Sequence, residues 1–243
     1  MAKDGSANTA VVVIKVTPRE FQFLYQAVNA FTIESSDYQV VSNELKAAVQ
    51  TYNADLLVYD ANGIGAAIRD WLNKDSVHNG ELMPGLGIIN PPKDSAKDVK
   101  RYSPRETICY EIKAGGKLST EINQLFFSRL KSGSVKMLIP AKDAIRRFGE
   151  KASFNKKSAL ERKRLMRPYQ FCDKLEEELL NLELVEVKDN SGTTLKVKRR
   201  NLKIQKDFFS ALSYGIYAIH HNFELKHYTK KKIGNAAEYI MYG

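Results

Sequence analysis

Read for its apolar positions, the chain divides into short β-like runs alternating with helical ones. The run AVVVIKV, Ala10 to Val16, is β-branched and predicts a buried strand, broken at Pro18. FQFLYQAVNAFTI, Phe21 to Ile33, is long, aromatic and partly alternating, and pairs with the first run as an antiparallel hairpin. Val40, Val41, Leu45, Ala48 and Val49 then fall at helical spacing, with Ser36 or Asp37 as the cap. ADLLVYD, Ala54 to Asp60, is apolar without alternation, the mark of a strand covered on both faces in a parallel sheet. A break at Asn62-Gly63-Ile64-Gly65 leads into a helix over Ala66 to Leu72.

Further on, Gly85 to Ile89 is a short strand candidate, and the polar stretch from Pro91 to Ser119 predicts a long surface excursion. TEINQLFFSRLKSG is an amphipathic helix closed by Gly133, and VKMLIP is a strand ended by Pro140. LELVEVKDNSGTTLKVKRR holds two β-like runs around Asn190-Ser191-Gly192, a late hairpin. DFFSALSYGIYAIHHNF is a helix opening at Asp207. The order predicts one α/β domain over residues 1–225, a mixed central sheet flanked by helices, with the late β-hairpin as an insertion. Residues 226–243 form a basic C-terminal tail.

Charge adds a partner to this picture. The net charge of +10 points first to nucleic acid and second to an acidic membrane surface. Ten Lys and Arg stand against three acids between Lys142 and Arg167, including Arg146, Arg147, Lys156 and Lys157; Lys198, Arg199 and Arg200 lie on the late hairpin. Each run alone is an ordinary solvated face. Together they make a footprint that follows phosphates without reading sequence. Tyr214 and Phe209 are expected in the core rather than stacked on bases.

Cysteine and histidine usage removes other classes. Cys109 and Cys172 form no CxxC pair, and four scattered histidines do not make a zinc site. His220 and His221 close a helical stretch, where their charge suits the helix C-terminus. No signal peptide and no apolar run of about 18 residues is present, which predicts a cytosolic chain with free thiols and no membrane partner.

The glycine turn after Asp60 raises the choice between a nucleotide and a metal. The third glycine of a dinucleotide fingerprint is replaced by Ile68, and the acid precedes the glycines, where it would repel a pyrophosphate. KAGGKLST, Lys113 to Thr120, fails as a phosphate loop because Glu111 and Leu118 stand at required positions. A carboxylate ending a central strand suits Mg²⁺ or Mn²⁺ instead, since such strand ends face ligands and Mg²⁺ takes oxygen donors while keeping several waters. Asp207 is the second acid, although Asp is also favoured as a helix cap. A strand hairpin, an acid on the next strand and an acid opening the last helix resemble the layout of ribonuclease H-like nucleases, whose two metals sit about 4 Å apart on a phosphodiester.

LVYDANGIGAAIRDWL and KIQKDFFSALSYGIYAI resemble the nuclease domain of the large terminase subunit of tailed bacteriophages. Lys206, Asp207, Phe209, Ser210, Ala211, Leu212, Tyr214 and Gly215 match that family's third motif, and Asp60 before Asn62-Gly63 matches its second. The resemblance runs from about Asn8 to His221. It implies a ribonuclease H/resolvase-like fold and endonucleolytic cleavage of concatemeric double-stranded DNA by two-metal hydrolysis, with little sequence specificity. It also implies an ATPase half, a small terminase subunit and a portal as partners, in the cytoplasm of an infected bacterial host. The family's first acid ends a strand upstream of the run that here is AVVVIKV, so that first strand is expected to be missing. Either Asp4 substitutes as the third carboxylate, or the first acid lies upstream. The alternative expectation is a non-catalytic DNA- or portal-binding module.

Overall fold

A computed structural model describes residues 8–62, 65–91, 106–189 and 192–228. Asp4 and most of the basic tail lie outside the described residues. The described part is mixed α/β, and its strands fall into several small sheets, some of them parallel. Two compact units form, one from residues 8–11 and 32–115 and the other from residues 12–31 and 116–228.

In the first unit, α1 (Tyr38–Tyr52) is capped by Asp37, whose carboxylate accepts from the Gln39 N–H at 2.8 Å. It ends where Asn53 turns left-handed, at φ 46°. Its inner stripe is Val41, Leu45 and Val49, while Val40 is 42% exposed. Position 40 falls off the i, i+4, i+8 line, and Ser42, Asn43 and Lys46 are buried on that side of the helix instead. The three polar groups are admitted because each has a partner. Ser42 donates to the Ile68 carbonyl, Lys46 Nζ to the Lys74 carbonyl and to Ser76 Oγ, and Ser76 Oγ to Asn43 Oδ1.

Three parallel strands follow in the order β3 (Leu57–Asp60), β7 (Glu106–Ile112), β6 (Leu86–Ile88). The central one lies in the stretch expected to be a surface excursion. Cys109 and Ile112 on β7 are almost fully buried, and β7 pairs Leu57↔Cys109 through Asp60↔Ile112. The polar residues of ETICYEI mask a strand that is buried at Cys109, Glu111 and Ile112. Between α2 (Gly65–Leu72) and β6, β4 (Ser76–His78) and β5 (Glu81–Met83) make a hairpin over Asn79-Gly80, with φ 51° and 82°. Asn-Gly is the pair that a two-residue turn with positive φ at both positions favours.

The second unit is built on the sheet β1 (Asn8–Pro18), β2 (Phe23–Glu34), β8 (Val135–Lys136). The connection over residues 19–22 is too short for a crossover, so β1 and β2 run antiparallel. β2 and β8 are parallel. The strand expected over VKMLIP shrinks to two residues. α3 (Gly116–Lys131) and α7 (Asp207–Ile219) pack on each other, with Phe126 meeting Phe209 edge-on at 5.2 Å. Gly215 lies within α7 where Ile14 of β1 packs, and a Cβ there would stand 2.6 Å from Ile14 Cδ1.

The basic stretch is helical: α4 (Ala141–Gly149), α5 (Ala152–Asn155) and the first half of α6 (Ala159–Leu180). These helices close over a small core of Ala141, Ala144, Phe154 and Met166, joined by Phe148 and Tyr169. A capping box starts α6, with Ser158 and Glu161 exchanging hydrogen bonds. The late hairpin pairs β9 (Leu182–Asp189) with β10 (Gly192–Arg199) from Leu182↔Arg199 to Asp189↔Gly192, as its apolar alternation predicts.

Candidate functional site

Asp60 is exposed at the carboxyl end of β3, while its neighbour Tyr59 is buried. Strand alternation alone puts them on opposite faces. Tyr59 donates to Glu111 Oε1 at 2.6 Å, and Arg69 Nε on α2 reaches the same oxygen at 2.5 Å. Asn90 brackets the Glu111 backbone with a pair of 2.9 Å hydrogen bonds. The buried Glu111 carboxylate thus ties β7 to β3 and α2, and its backbone is held by Asn90, two residues after β6. Burial and the neighbouring carboxylate push the Tyr59 hydroxyl well up, so Tyr59 remains a neutral donor.

The glycine turn is shaped by the strand end. Asp60 Oδ1 accepts from the Asn62 N–H at 2.8 Å, and Asn62 Nδ2 donates to the Ala114 carbonyl at 3.2 Å. A Cβ on Gly65 would sit 2.0 Å from the Asp60 carbonyl oxygen. Gly65 is required by the protein's own backbone folding back on Asp60, and no phosphate need be invoked for it.

In the second unit, Asp207 is the first residue of α7 and is exposed. Lys206 before it has φ −135° and supplies no side-chain cap. The cap comes from α6: Glu178, 6% exposed, accepts from the Phe209 N–H at 2.9 Å. Burial pushes the Glu178 carboxyl up to about 6; the Phe209 N–H opposes the shift, and the Asp207 charge adds to it. The connection into α7 is clamped at the same end of α6. Asn181 accepts from the Asn201 N–H at 2.8 Å and donates to the Asn201 carbonyl at 2.9 Å.

The cations divide by role. Arg146, Arg147, Lys156 and Lys157 are exposed, as are the other six Lys and Arg between Lys142 and Arg167. Arg146 forms an ion pair with Asp143 of its own helix at 3.3 Å. On the hairpin, Lys198 is exposed, and Arg200 is exposed with Glu183 at 4.0 Å. Arg199 is half-buried and donates to the Leu202 and Ile204 carbonyls at 3.2 and 3.3 Å, which holds the approach to Asp207 in shape. Phe209 is in the core and Tyr214 is half-buried.

Sequence reasoning missed Glu111, Glu178 and Arg69. A buried carboxylate leaves no mark in composition, because its partners come from residues 31 to 52 positions away. His220 closes α7 as expected, as its C-cap residue. It begins a π turn, His220–Glu224, and its Nδ1 lies 2.6 Å from Glu224 Oε2. Cys109 and Cys172 are free and buried, and burial raises both thiols, Cys109 to about 12.

Among the described residues, no three His, Cys, Asp or Glu side chains form a group able to hold a metal ion. Asp60 and Asp207 are exposed oxygen donors of the kind Mg²⁺ takes alongside water, so in donor chemistry they fit that ion. Among the same residues no helix is long and apolar enough to cross a membrane. No protein-family model, curated protein or solved structure matches the chain.

Proposed function

We propose that the chain is a metal-dependent endonuclease module of the phage terminase kind, on a ribonuclease H-like mixed sheet, acting on double-stranded DNA. The observation that carries the reading is Asp60: an exposed carboxylate at the carboxyl end of a parallel strand, with a turn folded tightly against its backbone. Ligands in open α/β sheets sit at such strand ends.

In this reading Asp60 and Asp207 each hold Mg²⁺ or Mn²⁺, with Asp4 as the third carboxylate. A metal held by these carboxylates would supply activation of a water and offset charge on the phosphate. The Tyr59–Glu111–Arg69 network keeps Asp60 facing outward. Arg146, Arg147, Lys156, Lys157, Lys198 and Arg200 meet phosphates. Arg199 contributes by ordering the loop before Asp207. Double-stranded DNA is the substrate; the ATPase half, the small subunit and the portal are the partners, in the cytoplasm of an infected bacterium.

A supercoiled-plasmid nicking assay with Mn²⁺ tests this. Wild type nicks, and Asp60→Asn and Asp207→Asn lose at least a hundredfold in rate. Undiminished cleavage in both variants overturns the assignment. The broad cation surface of α4–α6 also suits a DNA- or portal-binding module that does not cut. That second reading predicts salt-sensitive binding unaffected by both substitutions, and no nicking.

A further inference from the structure

We infer that Glu178 is a positioning residue for Asp207, fixing the first turn of α7 from the far side of the chain; the inference rests on the nuclease reading. The first N–H groups of any α-helix lack partners within the helix, and a Ser, Thr, Asp or Asn just before it ordinarily supplies one. Here that place is held by Lys206, whose side chain cannot accept a hydrogen bond. The acceptor is provided by Glu178, 31 residues earlier, through its 2.9 Å bond from the Phe209 N–H. A charged acceptor at a helix N-terminus is also favoured by the helix dipole.

The arrangement is built to be rigid. Glu178 is 6% exposed, and just past the end of the same helix its C-cap residue Asn181 grips Asn201 through both its amide oxygen and its amide nitrogen. The Arg200 N–H donates to the Asn181 carbonyl at 2.9 Å, and Arg199 fastens the carbonyls of Leu202 and Ile204. The segment between β10 and α7 is therefore held by side chains at both ends, and Asp207 emerges from it as the first helical residue. With the Glu178 carboxylate removed, the first turn of α7 loses its acceptor and Asp207 its fixed direction, while the apolar body of α7 stays packed.

The test compares wild type, Glu178→Gln and Glu178→Ala in the full chain, with two readouts. The first is amide hydrogen exchange at Phe209 by NMR: the amide is protected in wild type through its bond to Glu178 and loses at least tenfold of that protection in Glu178→Ala, while the Leu212 and Ile216 amides of the buried body of α7 keep theirs. The second is Mn²⁺-dependent nicking at pH 8, read as kcat and KM. Both variants lose at least tenfold in kcat with KM for DNA unchanged, Gln less than Ala. If wild type nicks and both variants match it in kcat, the positioning role is overturned and the nuclease reading stands. If wild type does not nick, both fall. Equal protection of the Phe209 amide in all three proteins overturns the contact itself.

Discussion

Removing the Glu224 carboxylate is expected to cost the second unit about 3–5 kcal/mol, the range for breaking a buried ionic network by deleting one partner. Four donors converge on Glu224. Phe23 N–H reaches Oε1 at 2.7 Å; the Tyr25 hydroxyl, Arg129 Nη2 and His220 Nδ1 reach Oε2 at 2.7, 2.8 and 2.6 Å. Tyr25 is fully buried and Glu224 is 2% exposed. In Glu224→Ala, two neutral buried donors are orphaned at roughly 1–3 kcal/mol each. Arg129 keeps Gln22 Oε1 at 2.8 Å, but among the described residues its Nε has no partner, so its loss adds to theirs. Against a usual total of about 5–15 kcal/mol, the variant sits near the edge of folding. Urea denaturation at pH 7 measures this: the midpoint falls while the slope is unchanged. Burial alone would raise the Glu224 carboxyl, yet the His220, Phe23, Tyr25 and Arg129 donors outweigh it and hold the carboxyl below its ordinary value. Its contribution is therefore present above the unfolded value, about 4.3, and is lost as pH falls through the lower folded value. The gap between wild type and Glu224→Gln should narrow in that acid window. A loss under about 1 kcal/mol at pH 7 for Glu224→Ala would refute the reasoning.

Other expectations follow from single contacts. Glu178 has the opposite sign to Glu224. With its carboxyl raised to about 6, its contribution is present below the unfolded value and lost as pH rises through 6, so Glu178→Gln gains relative to wild type in urea melts between pH 5 and 7. Gly65→Ala must move the Asp60 carbonyl, 2.0 Å from the new Cβ, and loses about 2 kcal/mol or more by thermal melt, with α2 displaced. Gly215→Ala meets only the tip of Ile14 and costs about 1–2 kcal/mol in the same melt. Both thiols, buried and shifted upward, should resist an aromatic disulfide reagent at pH 8 in the native protein and react at once in urea. Replacing Arg146, Arg147, Lys156 and Lys157 with Ala should lower the slope of log DNA affinity against log salt by about 3–4, measured by fluorescence anisotropy.

The hairpin of β9 and β10, the cap at Asp37, the strand ending at Asp60 and the helix opening at Asp207 were all legible, because each rests on local periodicity or one capping residue. The β4–β5 hairpin is equally legible in Asn79-Gly80. β7 was not legible: its inward residues, Cys109, Glu111 and Ile112, include a carboxylate, so the apolar pattern breaks where the network sits. Lys46 shows the same limit, a cation on the inner face of α1 that only the Lys74 carbonyl and Ser76 make tolerable. The proposed site reads in the sequence as two acids and a run of cations. The buried contacts next to those acids, Glu111 with Tyr59 and Glu178 with the Phe209 N–H, were hidden because their partners are distant in sequence.

The central proposal is that Asp60 and Asp207 each take up Mg²⁺ or Mn²⁺, and a Mn²⁺ titration followed by electron paramagnetic resonance tests it most directly. Wild type should take Mn²⁺ out of the free pool, and Asp60→Asn and Asp207→Asn should each weaken that uptake at least tenfold while melting like wild type. Equal Mn²⁺ uptake by all three proteins would contradict the account.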